Sequence, residues 1–190
     1  AEAKKGLKGT IINFPSISVG ATENALLAAV KAKGKTVLRN CAIEPEIQDL
    51  IKFLKKLGLK IKVNGRTITV LGGKIYNTKI NHKVIFDRIE FGTYMIAGAL
   101  LAKKNLIIDK INPLVVKNEI NILKQIGVKI IRKKTFVIIS RDKQLKKINI
   151  KTKPYPGFPT DLKAQLMVLL TQVKGVSKIT QKNGKKPLQI

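Results

Sequence analysis

One cysteine, Cys41, and one histidine, His82, stand in a chain of 190 residues. A lone cysteine forms no internal disulfide, and the pair offers too few ligands for a Cys-cluster or His-rich metal site. No metal or other cofactor is therefore expected. Tryptophan is absent and aromatic residues make up 5% of the chain, which leaves few platforms for stacking bases. Acidic residues number 11, against 38 Lys and Arg. No run approaches the ~18–20 consecutive apolar residues of a membrane span. Residues 1–8 lack the apolar middle of a signal peptide. These absences predict a soluble, cytoplasmic protein with no membrane partner.

What is present is apolar and basic. Apolar residues reach 44%, enough for a packed core and too many for a disordered chain. The net charge of +27 first suggests a nucleic-acid binder. Its make-up argues otherwise. Only five of the basic residues are Arg and 33 are Lys, and Arg is the residue suited to reading and stacking on bases. The lysines run along the whole chain, beside 27 Ile and 12 Asn, the residues AT-rich coding favours. The charge thus reads as a solvated surface, and no nucleic-acid partner is expected. A basic nucleic-acid-binding α/β repeat protein stands as the alternative, and a steep salt dependence of DNA affinity would reveal it.

The chain repeats itself at a shift of 69 residues. Leu54-Lys55-Lys56-Leu57-Gly58-Leu59-Lys60-Ile61 falls on Leu123-Lys124-Gln125-Ile126-Gly127-Val128-Lys129-Ile130. A period this long marks a supersecondary unit. The unit reads β-α-β-α-β-β. The first copy predicts a strand over 9–14, a helix over 19–32, a strand over 36–40, a helix over 45–57 and strands over 60–64 and 67–71. Asn64-Gly65 signals the hairpin between the last two. The second copy predicts a strand over 83–86 and a helix over 89–102. A strand over 106–109 and a helix opened by Asn112-Pro113 follow, then strands over 128–132 and 136–140, turned by Arg132-Lys133-Lys134. The third gives a strand over 148–151, a loop over 153–160 and a helix over 161–173, then stops after the next strand.

The two helices of each unit differ in kind. In 45–57, Ile47, Leu50, Ile51, Leu54 and Leu57 form one stripe, the pattern of a surface helix. Residues 25–30, 94–102 and 166–170 are apolar all round, the pattern of a buried helix. The closing strands alternate, with Ile61, Val63, Ile68 and Val70 inward, as in a sheet with one solvated face. The expected layout places sheets outside and one helix of each unit inside.

Two strand-to-helix loops invite chemistry. Pro15-Ser16-Ile17-Ser18-Val19-Gly20 leads into the first apolar helix, where free N–H groups and the helix dipole favour an anion. Ser18 also reads as a plain N-cap. No P-loop Gly-Lys-Ser is present, which leaves an ATPase unsupported. Pro154-Tyr155-Pro156-Gly157-Phe158-Pro159-Thr160-Asp161 brings Asp161 to a helix start, as a helix-stabilising acid or a general base. Asp87-Arg88-Ile89-Glu90 reads as a capped helix with a local ion pair, and Glu44-Pro45-Glu46 as an acidic first turn. Cys41 reads as a small buried residue and His82 as an exposed residue of a polar connector.

SVGAT (18–22), EPEI (44–47), DRIEFGT (87–93) and PYPGFPTDLKAQ (154–165), in this order and spacing, resemble the UDP-N-acetylglucosamine 1-carboxyvinyltransferase family of enolpyruvyl transferases. Its sister, enolpyruvyl-shikimate-phosphate synthase, has less similar loops and is the alternative. The resemblance covers about 7–180. It implies an α/β fold, an inside-out α/β barrel of βαβαββ repeats, here two complete and one partial. Residues 1–73 would be the last unit of one lobe, 74–83 the interlobe connector and 84–190 one and a half units of the other. The family moves the enolpyruvyl group of phosphoenolpyruvate onto the 3-hydroxyl of UDP-N-acetylglucosamine, in peptidoglycan synthesis, releasing phosphate.

By the same resemblance, Ser16, Ile17, Ser18, Val19, Gly20 and Thr160 bind substrate, with Ser16 where a Lys is usual. Asp161 takes the proton of the sugar hydroxyl. Glu44, Asp87 and Arg88 support the site. The family's N-terminal phosphoenolpyruvate-binding Lys and mobile loop have no counterpart, and residues 181–190 do not match its Arg-bearing segment. The chain by itself is therefore expected to be an incomplete portion that does not turn over substrate.

Overall fold

The computed structural model describes residues 3–73, 79–140, 144–181 and, for the backbone, 188–189. The chain divides into two units, Ala1–Ile85 and Phe86–Ile190.

The first unit begins with β1 (Ile11–Asn13), α1 (Val19–Lys31) and β2 (Gly34–Arg39), and continues through α2 (Pro45–Lys56), β3 (Lys60–Asn64) and β4 (Thr67–Gly72). Its sheet has the order β1-β2-β4-β3. β1 runs parallel to β2, Ile12 opposite Leu38, while β4 is antiparallel to both β2 and β3. The core forms where the apolar stripes meet. Leu26, Ala29 and Val30 of α1 join Leu38, Ile47, Ile51, Leu54, Ile61, Ile68 and Val70. Asn64 pairs with Thr67 across the turn, where Gly65 adopts φ 53°, a conformation that costs glycine little.

The second unit begins with α3 (Arg88–Leu101), β5 (Asn105–Ile108), α4 (Lys117–Ile126), β6 (Lys129–Arg132) and β7 (Val137–Ser140). It continues through β8 (Asn149–Lys151), a 3₁₀ turn at Thr160–Leu162, α5 (Lys163–Leu170), β9 (Lys178–Thr180) and β10 (Leu188–Gln189). One sheet has the antiparallel order β5-β7-β6. The other has the order β10-β9-β8, with β8 parallel to β9. Met95, Ile96 and Ala99 of α3 share a core with Leu123, Ile126, Ile139, Phe158, Leu166 and Leu169.

Several expectations are corrected. No strand forms over 83–86. Asp49 of α2 instead accepts a hydrogen bond from Ile85 N–H at 3.3 Å and lies 3.0 Å from His82 Nε2. That stretch is thus tied to a helix side chain rather than to a sheet. His82 is therefore not exposed: its side chain keeps 9% of its accessible surface and meets the Phe53 ring edge-on at 5.4 Å. The helix expected at Asn112-Pro113 starts at Lys117. Asn112 Oδ1 accepts instead from Leu114 N–H at 3.1 Å, within a separate turn. The helix expected over 161–173 is a 3₁₀ turn followed by a helix ending at Leu170. There the Thr171 hydroxyl donates to Val168 C=O and Val173 N–H to Leu170 C=O, tightening the last turn. Val63 is exposed beside the hairpin turn.

The helices that are apolar all round are buried on one face only. Leu27, Tyr94, Leu101 and Val168 are each at least half exposed. Position 74–78 of the expected connector and residues 182–187 of the expected mismatched tail lie outside the described residues. Among the described residues, no helix is long and apolar enough to cross a membrane.

Candidate functional site

In the first unit, parallel β1 and β2 both end at loops feeding helices, the place where α/β units commonly take ligands. Asn40, at φ 60°, turns the chain after β2, and its Nδ2 donates to Phe14 C=O at 2.9 Å. This fixes the exit from β1. Ser18 then caps α1, its Oγ accepting from Ala21 N–H at 3.2 Å. Ser18 is thus an N-cap, as its residue type suggests. Helix geometry gives Val19 and Gly20 N–H no carbonyl four residues back. A β-carbon on Gly20 would meet nothing within 4 Å, so no packing within the protein requires glycine there.

Thr22 carries a contact that the sequence does not advertise. It is fully buried. Its hydroxyl donates to Ser18 C=O at 2.7 Å and accepts from Ala42 N–H at 2.9 Å. The first turn of α1 is thereby tied to the loop entering α2. Two residues further on, Glu44 is buried and does not cap α2 with its side chain. The start of α1 and the loop that leads to Glu44 are thus joined through one buried hydrogen bond. A groove of about 360 Å³ elsewhere in this unit is lined by Glu23, Glu46, Asp49 and His82 among others, and none of the residues nominated from sequence borders it.

Cys41, just after β2, is buried. Burial pushes its thiol up from the ordinary range. An Ile68 backbone hydrogen bond and the charge of Arg66 pull the other way. A thiol held protonated is a poor nucleophile.

In the second unit the proline-rich loop follows β8. Thr152 bridges Phe158, Lys153 N–H donates to Phe158 C=O at 3.1 Å, and Gly157 N–H donates to Pro154 C=O at 2.8 Å. A β-carbon at Gly157 would overlap Lys153 and lie 2.9 Å from Pro154 O, so the loop closes only on glycine. Phe158 anchors it in the core. Thr160 and Asp161 emerge exposed in the 3₁₀ turn. An exposed carboxylate there is accessible to a ligand.

The DRIEFGT segment packs against that turn. Asp87 caps α3, its Oδ1 accepting from Ile89 and Glu90 N–H at 2.7 and 3.1 Å. Arg88 reaches beyond its own helix. It is buried, and its Nη1 lies 3.5 Å from Glu119 Oε1 of α4, with its guanidinium carbon 5.9 Å from the centre of the Tyr155 ring. Gln165 Nε2 donates to Thr93 Oγ1 at 3.1 Å. Arg88 thus packs with the loop that leads to Asp161, and Asp87 caps the same helix. Sequence reasoning missed Glu119, Tyr155 and Gln165. A signal for Glu119 existed: it sits within the apolar stripe of Val116, Ile120 and Leu123, and a charge there needs a buried partner.

Among the described residues no group of three or more His, Cys, Asp or Glu could hold a metal. What the geometry offers is a helix start with free donors in one unit and an accessible carboxylate on a braced loop in the other.

Two α/β units whose strand ends lead through such loops into helices fit a known family of repeats, and the chain belongs to the EPSP synthase (3-phosphoshikimate 1-carboxyvinyltransferase) family, matched over residues 1–185. Among its relatives, UDP-N-acetylglucosamine 1-carboxyvinyltransferase of Pelagibacter ubique is 51% identical over 181 residues, 95% of this chain and 43% of that protein. UDP-N-acetylglucosamine 1-carboxyvinyltransferase 2 of Clostridium tetani is 46% identical over 95% of this chain and 43% of its own length. The chain thus spans less than half of these relatives. Among solved structures, the enolpyruvyl transferase NikO of Streptomyces tendae superposes with a TM-score of 0.83 at 22% identity, covering 93% of this chain and 45% of that one. EPSP synthase of Acinetobacter baumannii gives 0.61 at 22% identity over 92% of this chain and 40% of its own.

Proposed function

We propose that this chain carries part of an enolpyruvyl transferase that uses UDP-N-acetylglucosamine as acceptor and phosphoenolpyruvate as donor. The product is the 3-O-enolpyruvyl sugar nucleotide, and phosphate leaves. The reaction belongs to peptidoglycan synthesis in the cytoplasm, and through it to cell wall biogenesis, cell shape and cell division. The observation that carries this reading is the 51% identity to a protein of that name across a region holding all four loop motifs.

In this reading Ser16, Ile17, Ser18, Val19 and Gly20 receive the UDP moiety. A diphosphate at the N-terminus of α1 gains from the helix dipole and from the N–H groups of Val19 and Gly20. Asp161, beside Thr160, takes the proton from the sugar 3-hydroxyl as its oxygen bonds to the enolpyruvyl carbon. Glu44, Asp87 and Arg88 hold these loops. Residues 1–73 are the last βαβαββ unit of one lobe of an inside-out α/β barrel, 74–83 the connector and 84–190 one and a half such units of the other lobe.

Titration calorimetry with UDP-N-acetylglucosamine tests the reading on this chain. Saturable heat that is absent with 3-phosphoshikimate supports it. Binding of 3-phosphoshikimate alone would transfer the chain to the sister reaction. In an enzyme that turns over, Asp161→Asn lowers kcat by ~10²–10⁴ and spares sugar-nucleotide binding. A variant that retains its rate removes Asp161 from the chemistry.

A further inference from the structure

We infer that Arg88 is a positioning residue for the loop that presents Asp161, acting through the Tyr155 ring and anchored from behind by Glu119. Three elements converge on its side chain. Arg88 starts α3, and Glu119 lies in the first turn of α4. Tyr155 lies in the proline-rich loop before the 3₁₀ turn. Arg88 is 7% exposed and Glu119 1% exposed, so neither long side chain is free to swing. Glu119 Oε1 lies 3.5 Å from Nη1, an opposite charge behind the guanidinium. The guanidinium carbon lies near the face of Tyr155, 5.9 Å from the ring centre, the range in which a cation and an aromatic face attract.

A lysine could answer Glu119 as a point charge, but it could not also present a flat guanidinium to a ring. Such bracing is needed because Tyr155 is only half buried, and the loop's core anchor, Phe158, lies three residues further on. Four residues after Asp161, Gln165 reaches Thr93 of α3, so α3 holds the Asp161 turn from both sides. The role assigned to Asp161 rests on the proposed function, whereas the ordering of the loop does not.

Amide hydrogen exchange on the ligand-free chain tests the ordering. Tyr155→Leu removes the ring and leaves the buried ion pair intact. It raises exchange over 153–160 by about tenfold, the size of one partly desolvated cation–ring contact, while exchange in β5–β7 stays unchanged. Tyr155→Phe keeps the ring and loosens the loop less than Tyr155→Leu. Arg88→Met paired with Glu119→Leu removes both charges together, avoiding a buried unpaired carboxylate, and loosens the same loop. The Arg88 Nε–H resonance shifts more in Tyr155→Leu than in Tyr155→Phe. A folded Tyr155→Leu chain with parental exchange over 153–160, or loosening in Tyr155→Phe equal to that in Tyr155→Leu, overturns the inference. The sugar-nucleotide titration is a separate measurement, so a chain that fails to bind ligand and yet shows this exchange pattern loses the proposed function and keeps the bracing.

Discussion

Gly92 of α3 and Leu162 of the 3₁₀ turn share one space. A β-carbon on Gly92 would overlap Leu162 Cδ1 and lie 2.9 Å from Cδ2. Leu162 is 1% exposed, so it cannot yield by moving outward. The turn bearing Asp161 therefore sits where it does partly because residue 92 has no side chain. Gly92→Ala should cost ~1–3 kcal/mol, the usual range for overpacking a filled core. Urea unfolding measures this. A variant as stable as its parent would show that Leu162 repacks freely.

Thr22 and Ser18 make a contrasting pair at the start of α1. The Ser18 Oγ receives one N–H at a partly exposed helix end, where water can substitute. The Thr22 hydroxyl serves two backbone groups in full burial. Thr22→Val keeps the shape and strands the Ala42 N–H, a loss of ~1–3 kcal/mol. Ser18→Ala should fall near the low end of the ~0.5–2 kcal/mol spanned by N-cap losses. Denaturant midpoints of the two variants give the order, and a larger loss at Ser18 would reverse the account of this loop.

The repeat and the stripes made most elements legible because both are local patterns. The Ile47–Leu54 stripe, the Asn64-Gly65 hairpin and the capping residues Ser18 and Asp87 each act within a few residues of themselves. The misreadings share another cause, since each involves a partner far along the chain. His82 looked exposed because Asp49 lies 33 residues away. The Glu119 partner of Arg88 went unread because it is near in space and not in sequence. Asn112-Pro113 carries the marks of a helix start, yet the Asn112 side chain is spent on a turn of its own. In the candidate site, the loops were legible from residue type and order. The ties from Thr22 to Ala42 and from Arg88 to Tyr155 were not, because they depend on tertiary packing.

Cys41 gives a prediction in pH. Burial raises its thiol above the ordinary value, so the folded chain holds that proton more tightly than the unfolded chain does. Its contribution to stability is whole below the unfolded value of about 8.5 and is lost as pH climbs past it toward the raised folded value. Parent and Cys41→Ala should therefore differ most at neutral pH and converge above about pH 8.5. A thiol reagent at neutral pH should leave the native chain unlabelled and label it fully in urea. Rapid native labelling would mean that the strand end opens readily.

Gly20 separates a folding role from a binding role. It is exposed at the second position of α1, its φ is not positive, and its missing β-carbon faces open space. The β-carbon of a valine there has open space, and the difference in helix propensity is under ~1 kcal/mol. Gly20→Val should thus unfold at the parental midpoint. The added branches nevertheless occupy the space over the Val19 and Gly20 N–H groups, where a diphosphate would approach. Affinity for UDP-N-acetylglucosamine should fall by about tenfold or more, a loss of ~1.4 kcal/mol. The test is calorimetry beside thermal unfolding on one preparation. Parental affinity in a folded Gly20→Val chain would place the sugar nucleotide elsewhere and leave Ser18 and its neighbours as helix capping alone.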